Sequence, residues 1–115
     1  MGNPIVFFEI GCRDLTKTKE FFGNLFEWRL TDGGAATMID TGGAVPGHIT
    51  SLGHEPHTFT NFYVQVSDVK FYLDKAVELG GKVLVPPVEI LTGTFAWFAD
   101  PEGNRVGLWK PGHNG

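Results

Sequence analysis

Two stretches of this chain, residues 5–53 and 58–111, run through the same order of elements, and this repeat restricts the available folds more than any other feature. Sliding one half over the other by 54 residues lays Asp14 on Asp68, Leu15 on Val69, Phe22 on Ala76, Leu25 on Leu79 and Phe7 on Asn61. The identities are few; the match lies in element order, strand, helix and three strands in each half. A unit of four strands and one helix cannot bury both faces of its sheet, whereas two units can cover each other's apolar faces. The repeat predicts an α+β fold: one domain over residues 1–115, made of two tandem βαβββ modules (5–53 and 58–111) that form a half-open mixed-sheet barrel.

The individual elements follow from pattern. Ile5–Cys12 is β-branched and aromatic, and a period of two puts Phe7, Glu9 and Gly11 on one side and Val6, Phe8 and Ile10 on the other. Asp14 is an N-cap for a helix from Leu15 to Phe26, whose apolar stripe is Leu15, Thr18, Phe22, Leu25 and Phe26. Short strands follow at Trp28–Thr31, Ala36–Asp40 and Val45–Leu52, and Gly53–His57 is a polar linker. The second half reads as strand Asn61–Val66, cap Asp68, helix Val69–Leu79 closed by Gly80 and Gly81, and a strand Lys82–Val85 that ends at Pro86 and Pro87. A final hairpin joins Phe95–Ala99 to Arg105–Trp109 through Asp100, Pro101, Glu102 and Gly103, residues suited to a tight turn. On its exit strand Arg105, Gly107 and Trp109 share a face, and Gly107 reads as a gap in a cavity wall.

Charge narrows the partners. Nine basic and 13 acidic residues give a net charge of −4 with no basic run, which argues against nucleic acid and anionic membranes. Cys12 is the only cysteine, so no intramolecular disulfide is available and a reducing cytoplasm is the expected location. No apolar run has the length of a membrane span, and the N-terminus does not read as a signal peptide. Cys12 itself is expected to be a small buried hydrophobe.

With these segments in place the chain resembles the vicinal oxygen chelate superfamily, which includes glyoxalase I, extradiol dioxygenases and the fosfomycin and bleomycin resistance proteins. The resemblance covers about residues 5–111. It rests on Phe8-Glu9-Ile10 with Arg13-Asp14, Glu20-Phe21-Phe22 with Leu25 to Trp28, Gly42-Gly43 with Pro46-Gly47, Tyr63 to Asp68, Glu78 to Val83, Val85-Pro86-Pro87, and Phe98 to Gly103 with Gly107-Leu108-Trp109. The likeness is greatest to the subgroup of enzymes related to lactoylglutathione lyase. It implies one divalent metal held by His, Gln or Glu from the first and last strands of both modules, and a homodimer. Carried over, the first-strand positions are Phe7 and Asn61. The last-strand positions are Gly47 or His48, and Gly107. Phe7 and Gly107 offer no donor and Asn61 is a poor ligand, so His48 is the one surviving metal candidate. A catalytic metal site needs about three protein ligands. No metal or other cofactor is therefore expected.

What remains is a candidate ligand site: Phe7, Glu9, His48, Asn61, Tyr63, Trp97, Arg105, Gly107 and Trp109. Glu9 shares the face of Phe7 and is the candidate catalytic base, with His48 as its acid–base or metal partner; the ordinary alternative is a hydrogen bond to local backbone or to Arg105. His54 and His57 flank Pro56 in the linker and read as solvent-exposed. Tyr63, Trp97, Trp109 and Phe7 either line a pocket for a flat ligand or fill the core. The sequence thus favours a protein that sequesters a small apolar or aromatic molecule without metal, in the manner of the bleomycin resistance proteins. The alternative is a glyoxalase-like lyase or isomerase acting on a small carbonyl compound through Glu9. A homodimer is expected, with no nucleic-acid or membrane partner.

Overall fold

An aspartate turns the chain from strand to helix in each half. In the computed structural model, which describes residues 2–33, 36–52 and 57–112, Asp14 Oδ1 accepts from the Lys17 N–H and Asp68 Oδ1 from the Phe71 N–H, both at 3.0 Å. Each bond satisfies a donor that the first helical turn leaves unmet. The first half runs β1 (Ile5–Gly11), α1 (Leu15–Phe26), β2 (Arg29–Gly33), β3 (Ala36–Asp40) and β4 (Gly47–Thr50). The second runs β5 (Phe59–Gln65), α2 (Val69–Glu78), β6 (Lys82–Ile90), β7 (Gly93–Ala99) and β8 (Arg105–Pro111). The βαβββ order recurs, and the fold is α+β with mixed strand directions.

Contacts divide the chain into a first unit, residues 7–61, and a second unit in which the residues up to Val6 join those from Phe62 onward. The carbonyl of Pro4 accepts from the Gln65 N–H at 2.9 Å, which ties the start of the chain to the second unit. Strand order is β2-β3-β4-β1 in one half and β5-β8-β7-β6 in the other. In both, the opening strand pairs in parallel with the closing strand, and the remaining pairs are antiparallel.

Each helix covers one sheet face. Leu15 and Phe22 of α1 pack with Phe8, Ile10, Leu30, Ile39 and Ile49, and with buried Cys12, whose Sγ lies 3.6 Å from the Thr50 carbonyl. In the second unit Val69, Tyr72 and Leu73 of α2 pack with Val64, Val66, Ala96, Phe98 and Leu108. The opposite faces carry the candidate site residues. Among the described residues no helix is long and apolar enough to cross a membrane.

Three expectations need correction. Leu25 and Phe26 are exposed, at 57 % and 53 %: Leu15 and Phe22, two turns apart, fix the packed line of α1, and three and four residues further on the helix has turned about 60° and about 40° to either side of it. The strand after α2 does not stop at the prolines. β6 continues through Pro86 and Pro87 to Ile90, with register shifts between Val83 and Val85 and between Val85 and Val88. It lies at the outer end of its strand order, the position where a missing N–H is tolerated. β5 begins at Phe59, two residues before the expected start, and its Phe59 ring occupies the space beside Gly11 that a side chain there would need.

The last hairpin turns as expected. Gly103 adopts φ +92°, and Asp100 Oδ1 accepts from the N–H groups of Glu102 (2.9 Å) and Asn104 (2.8 Å). The side-chain amide of Asn104 donates to Asp100 Oδ2 at 2.8 Å and, with these backbone donors, holds the carboxyl below its ordinary range.

Candidate functional site

The parallel pairing of β1 with β4 puts Glu9 opposite His48 on the sheet face turned away from α1. Their side chains meet: His48 Nε2 lies 2.6 Å from Glu9 Oε2. With the proton on Nε2 the imidazole donates to the carboxylate, a short charge-assisted contact that leaves the Nδ1 lone pair for another partner. The carboxylate is the inner member, at 9 % side-chain exposure against 23 % for the imidazole. The half-buried Phe7 closes one side, with its ring edge-on to the imidazole at a centroid distance of 5.0 Å. Met38 pairs with His48 from β3 and is 43 % exposed. The first unit thus brings Phe7, Glu9 and His48 together and adds Met38, which the sequence reading missed. The alternation in Ala36–Asp40 was its one available signal.

The second unit gathers Tyr63, Trp97, Arg105 and Gly107. Gly107 pairs with Tyr63 on β5 and with Trp97 on β7. The expected gap at Gly107 is filled from within: a Cβ there would run into the Tyr63 ring. The Trp97 indole N–H donates to the Tyr63 hydroxyl at 2.8 Å, and both residues are buried. The Arg105 guanidinium carbon lies 4.7 Å from the centre of the Trp97 ring, a cation–π arrangement. Phe95 meets Tyr63 edge-on. Trp109 lies opposite Phe95, with its ring against Gly93. Tyr63 and Trp97, two of the aromatic residues expected at the ligand site, thus pack against each other.

Asn61 is the remaining candidate. It is 5 % exposed, and neither its side-chain oxygen nor its nitrogen has a hydrogen-bond partner. Of the linker histidines, His57 is half-buried, while His54 and its neighbour Pro56 lie outside the described residues.

These positions allow a test of the metal that the fold implies. Because Tyr63 pairs with Gly107 as Glu9 pairs with His48, the last-strand position of the first half is His48 and not Gly47. The four carried-over positions are then Phe7, His48, Asn61 and Gly107. Two have no donor atom and one is a neutral amide, so the imidazole alone is a usual metal ligand. Among the described residues no three of His, Cys, Asp and Glu are grouped to hold a metal. This donor set does not fit a divalent metal in the family's manner.

The comparisons agree with the fold. The Glyoxalase/Bleomycin resistance protein/Dioxygenase superfamily matches residues 5–108. CFP32 of Mycobacterium tuberculosis (strain CDC 1551 / Oshkosh), named provisionally as a glyoxylase, is 32 % identical over 115 aligned residues, covering 89 % of this chain and 43 % of that protein. The chain thus spans less than half the length of that relative. Among solved structures, a superfamily member from Vibrio splendidus 12B01 superposes with a TM-score of 0.65 at 14 % identity, over 95 % of this chain and 98 % of its own. Methylmalonyl-CoA epimerase from Mycobacterium tuberculosis superposes with a TM-score of 0.70 at 11 % identity, over 96 % and 89 %. At such identities the superpositions speak for the fold alone. The family match covers nearly the whole chain, and the protein belongs to the Glyoxalase/Bleomycin resistance protein/Dioxygenase superfamily.

Proposed function

We propose that the chain binds a small, mainly apolar organic molecule on the face of its first unit turned away from α1, against the Glu9–His48 pair, without a metal-assisted step. The observation that carries this reading is the pair itself: a carboxylate and an imidazole 2.6 Å apart, bordered by apolar Phe7 and Met38. A largely apolar wall with a few placed polar groups is the usual make-up of a small-molecule site. The test is a titration of histidine-labelled protein with indole, followed by NMR. Saturable shifts of the His48 ring resonances support the reading. An indole titration and a parallel one with cumene that leave every resonance unchanged would remove it.

A second reading has one observation in its favour. The carboxylate lies behind the more exposed imidazole, the order in which a carboxylate positions a histidine base. On that reading the chain is a lyase or isomerase acting on a small carbonyl compound; His48 moves the proton and Glu9, the base expected from sequence, orients it. The provisional glyoxylase label of CFP32 points the same way. Exchange of the hydrogen next to the carbonyl of hydroxyacetone into deuterated water measures such a step directly. Exchange that persists unchanged in folded Glu9→Gln protein excludes it.

A further inference from the structure

Among the described residues, Asn61 is the least explained group. It lies in β5, and its strand neighbour Phe59, on the same face, covers Gly11 of β1. Gly11 shares its own face with Glu9 and Phe7. Asn61 thus belongs to the side of the first unit that carries the Glu9–His48 pair. Its amide presents one acceptor oxygen and one donor nitrogen, and both are buried without a hydrogen-bond partner. Native proteins seldom leave one such atom unmet, and here both ends of a single group are unmet. An apolar residue of the same size would avoid the penalty entirely.

We propose that Asn61 is the specificity-determining residue of the ligand site, and that the ligand offers it a neutral edge with one donor and one acceptor, as a carboxamide or lactam does. This inference rests on the small-molecule reading above and names the ligand class. It follows from the misfit with a metal: where the fold would place a metal-binding side chain, the chain has a group that pairs best with another amide. A carboxylate or a diolate would satisfy the nitrogen and leave the oxygen unmet. An amide edge satisfies both.

The probes are benzamide and 2-pyrrolidinone, with cumene as an apolar control, titrated into nitrogen-labelled protein and followed at the Asn61 side-chain NH2 and at neighbouring backbone signals. At least one amide probe should move the Asn61 NH2 resonances in a saturable way. Asn61→Leu should fold, melt no lower than the parent, and bind that probe at least about tenfold more weakly, the change expected for losing a hydrogen bond of ordinary strength. Asn61→Ala gives the same contrast if the leucine variant does not fold. Equal binding by the parent and the variant overturns the proposal. So does a lower melting temperature of Asn61→Leu with no probe bound by the parent, because Asn61 then serves only an ordered water. If cumene shifts the Phe7 and His48 signals while neither amide probe binds, the small-molecule reading stands and the Asn61 assignment falls. If no probe, cumene included, perturbs any signal, both fall.

Discussion

Gly107→Ala separates two meanings of the same glycine by the sign of its effect. Gly107 is a strand residue, outside the group of glycines with positive φ, so alanine meets no backbone strain there. With open space above it, the change would be neutral or would stabilise by about 0.4–1 kcal/mol through the unfolded chain. The structure puts the Tyr63 ring in that space, and the new Cβ would overlap it. Tyr63 is only 7 % exposed, so the ring has little room to yield, and overpacking of this kind costs about 1–3 kcal/mol. Any shift of the ring also stretches the 2.8 Å bond from Trp97, and leaving a buried indole N–H unmet costs about 1–3 kcal/mol more. We expect a loss of about 2–6 kcal/mol. Urea unfolding followed by tryptophan fluorescence reads this directly, and in a domain of this size the melting point should fall by roughly 10–20 °C. The effect should be strongly non-additive with Tyr63→Ala, a background in which Gly107→Ala costs nothing further. A single variant as stable as the parent, or more stable, would show that Tyr63 does not fill the gap.

Other consequences follow from the same geometry. Gly47→Ala would bring a Cβ to 2.5 Å from the Phe8 ring, and a loss of about 1–3 kcal/mol in urea unfolding is expected. His48→Ala leaves the buried Glu9 carboxylate without its imidazole and should cost about 2–4 kcal/mol, whereas Glu9→Leu combined with His48→Phe should cost less than His48→Ala alone; the reverse order would remove the pair as an electrostatic unit. Asp100 is depressed from 3.8 in the fold, so its stabilising contribution is present above that value and disappears as pH falls through the lower folded value. The urea midpoints of parent and Asp100→Asn should therefore differ near about pH 6 and converge toward about pH 2; a gap of constant size would contradict the assignment.

Much of the fold was legible because it rests on local chemistry. Asp14 and Asp68 announce their helices, and the helix Leu15–Phe26 and the strand Ala36–Asp40 have the bounds that their patterns give. β6 was cut short because Pro86 and Pro87 end a strand only when both of its edges are paired, and edge position is not a local property. The site was legible as a list of residues and not as an arrangement. Alternation put Glu9 and Phe7 on one face, but the partner of Glu9 depends on the register of two strands 39 residues apart. The sequence reads Gly107 as missing volume in a cavity wall. What fills it, Tyr63, lies on another strand.

The repeat relates these two places. An offset of 54 lays Glu9 on Tyr63. In β-pairing Glu9 faces His48, and Tyr63 faces Gly107. His48 and Gly107 therefore occupy the same node of the module, although they are 59 residues apart in the chain, because the second half carries extra residues before its last strand. At that node one half has a carboxylate against an imidazole, and the other has an aromatic ring over a glycine. Likewise Phe7 and Asn61 share a node, one packed edge-on to His48 and the other buried with its amide unmet. A metal held between two modules needs donors from both copies of these nodes. Here the two halves differ: the first has polar chemistry beside an apolar ring, and the second packs an aromatic ring over a glycine. The asymmetry predicts where ligand effects will appear. Perturbations should concentrate at Phe7, Glu9, His48 and Asn61, while changes at Tyr63, Trp97 and Gly107 should register first as losses of stability.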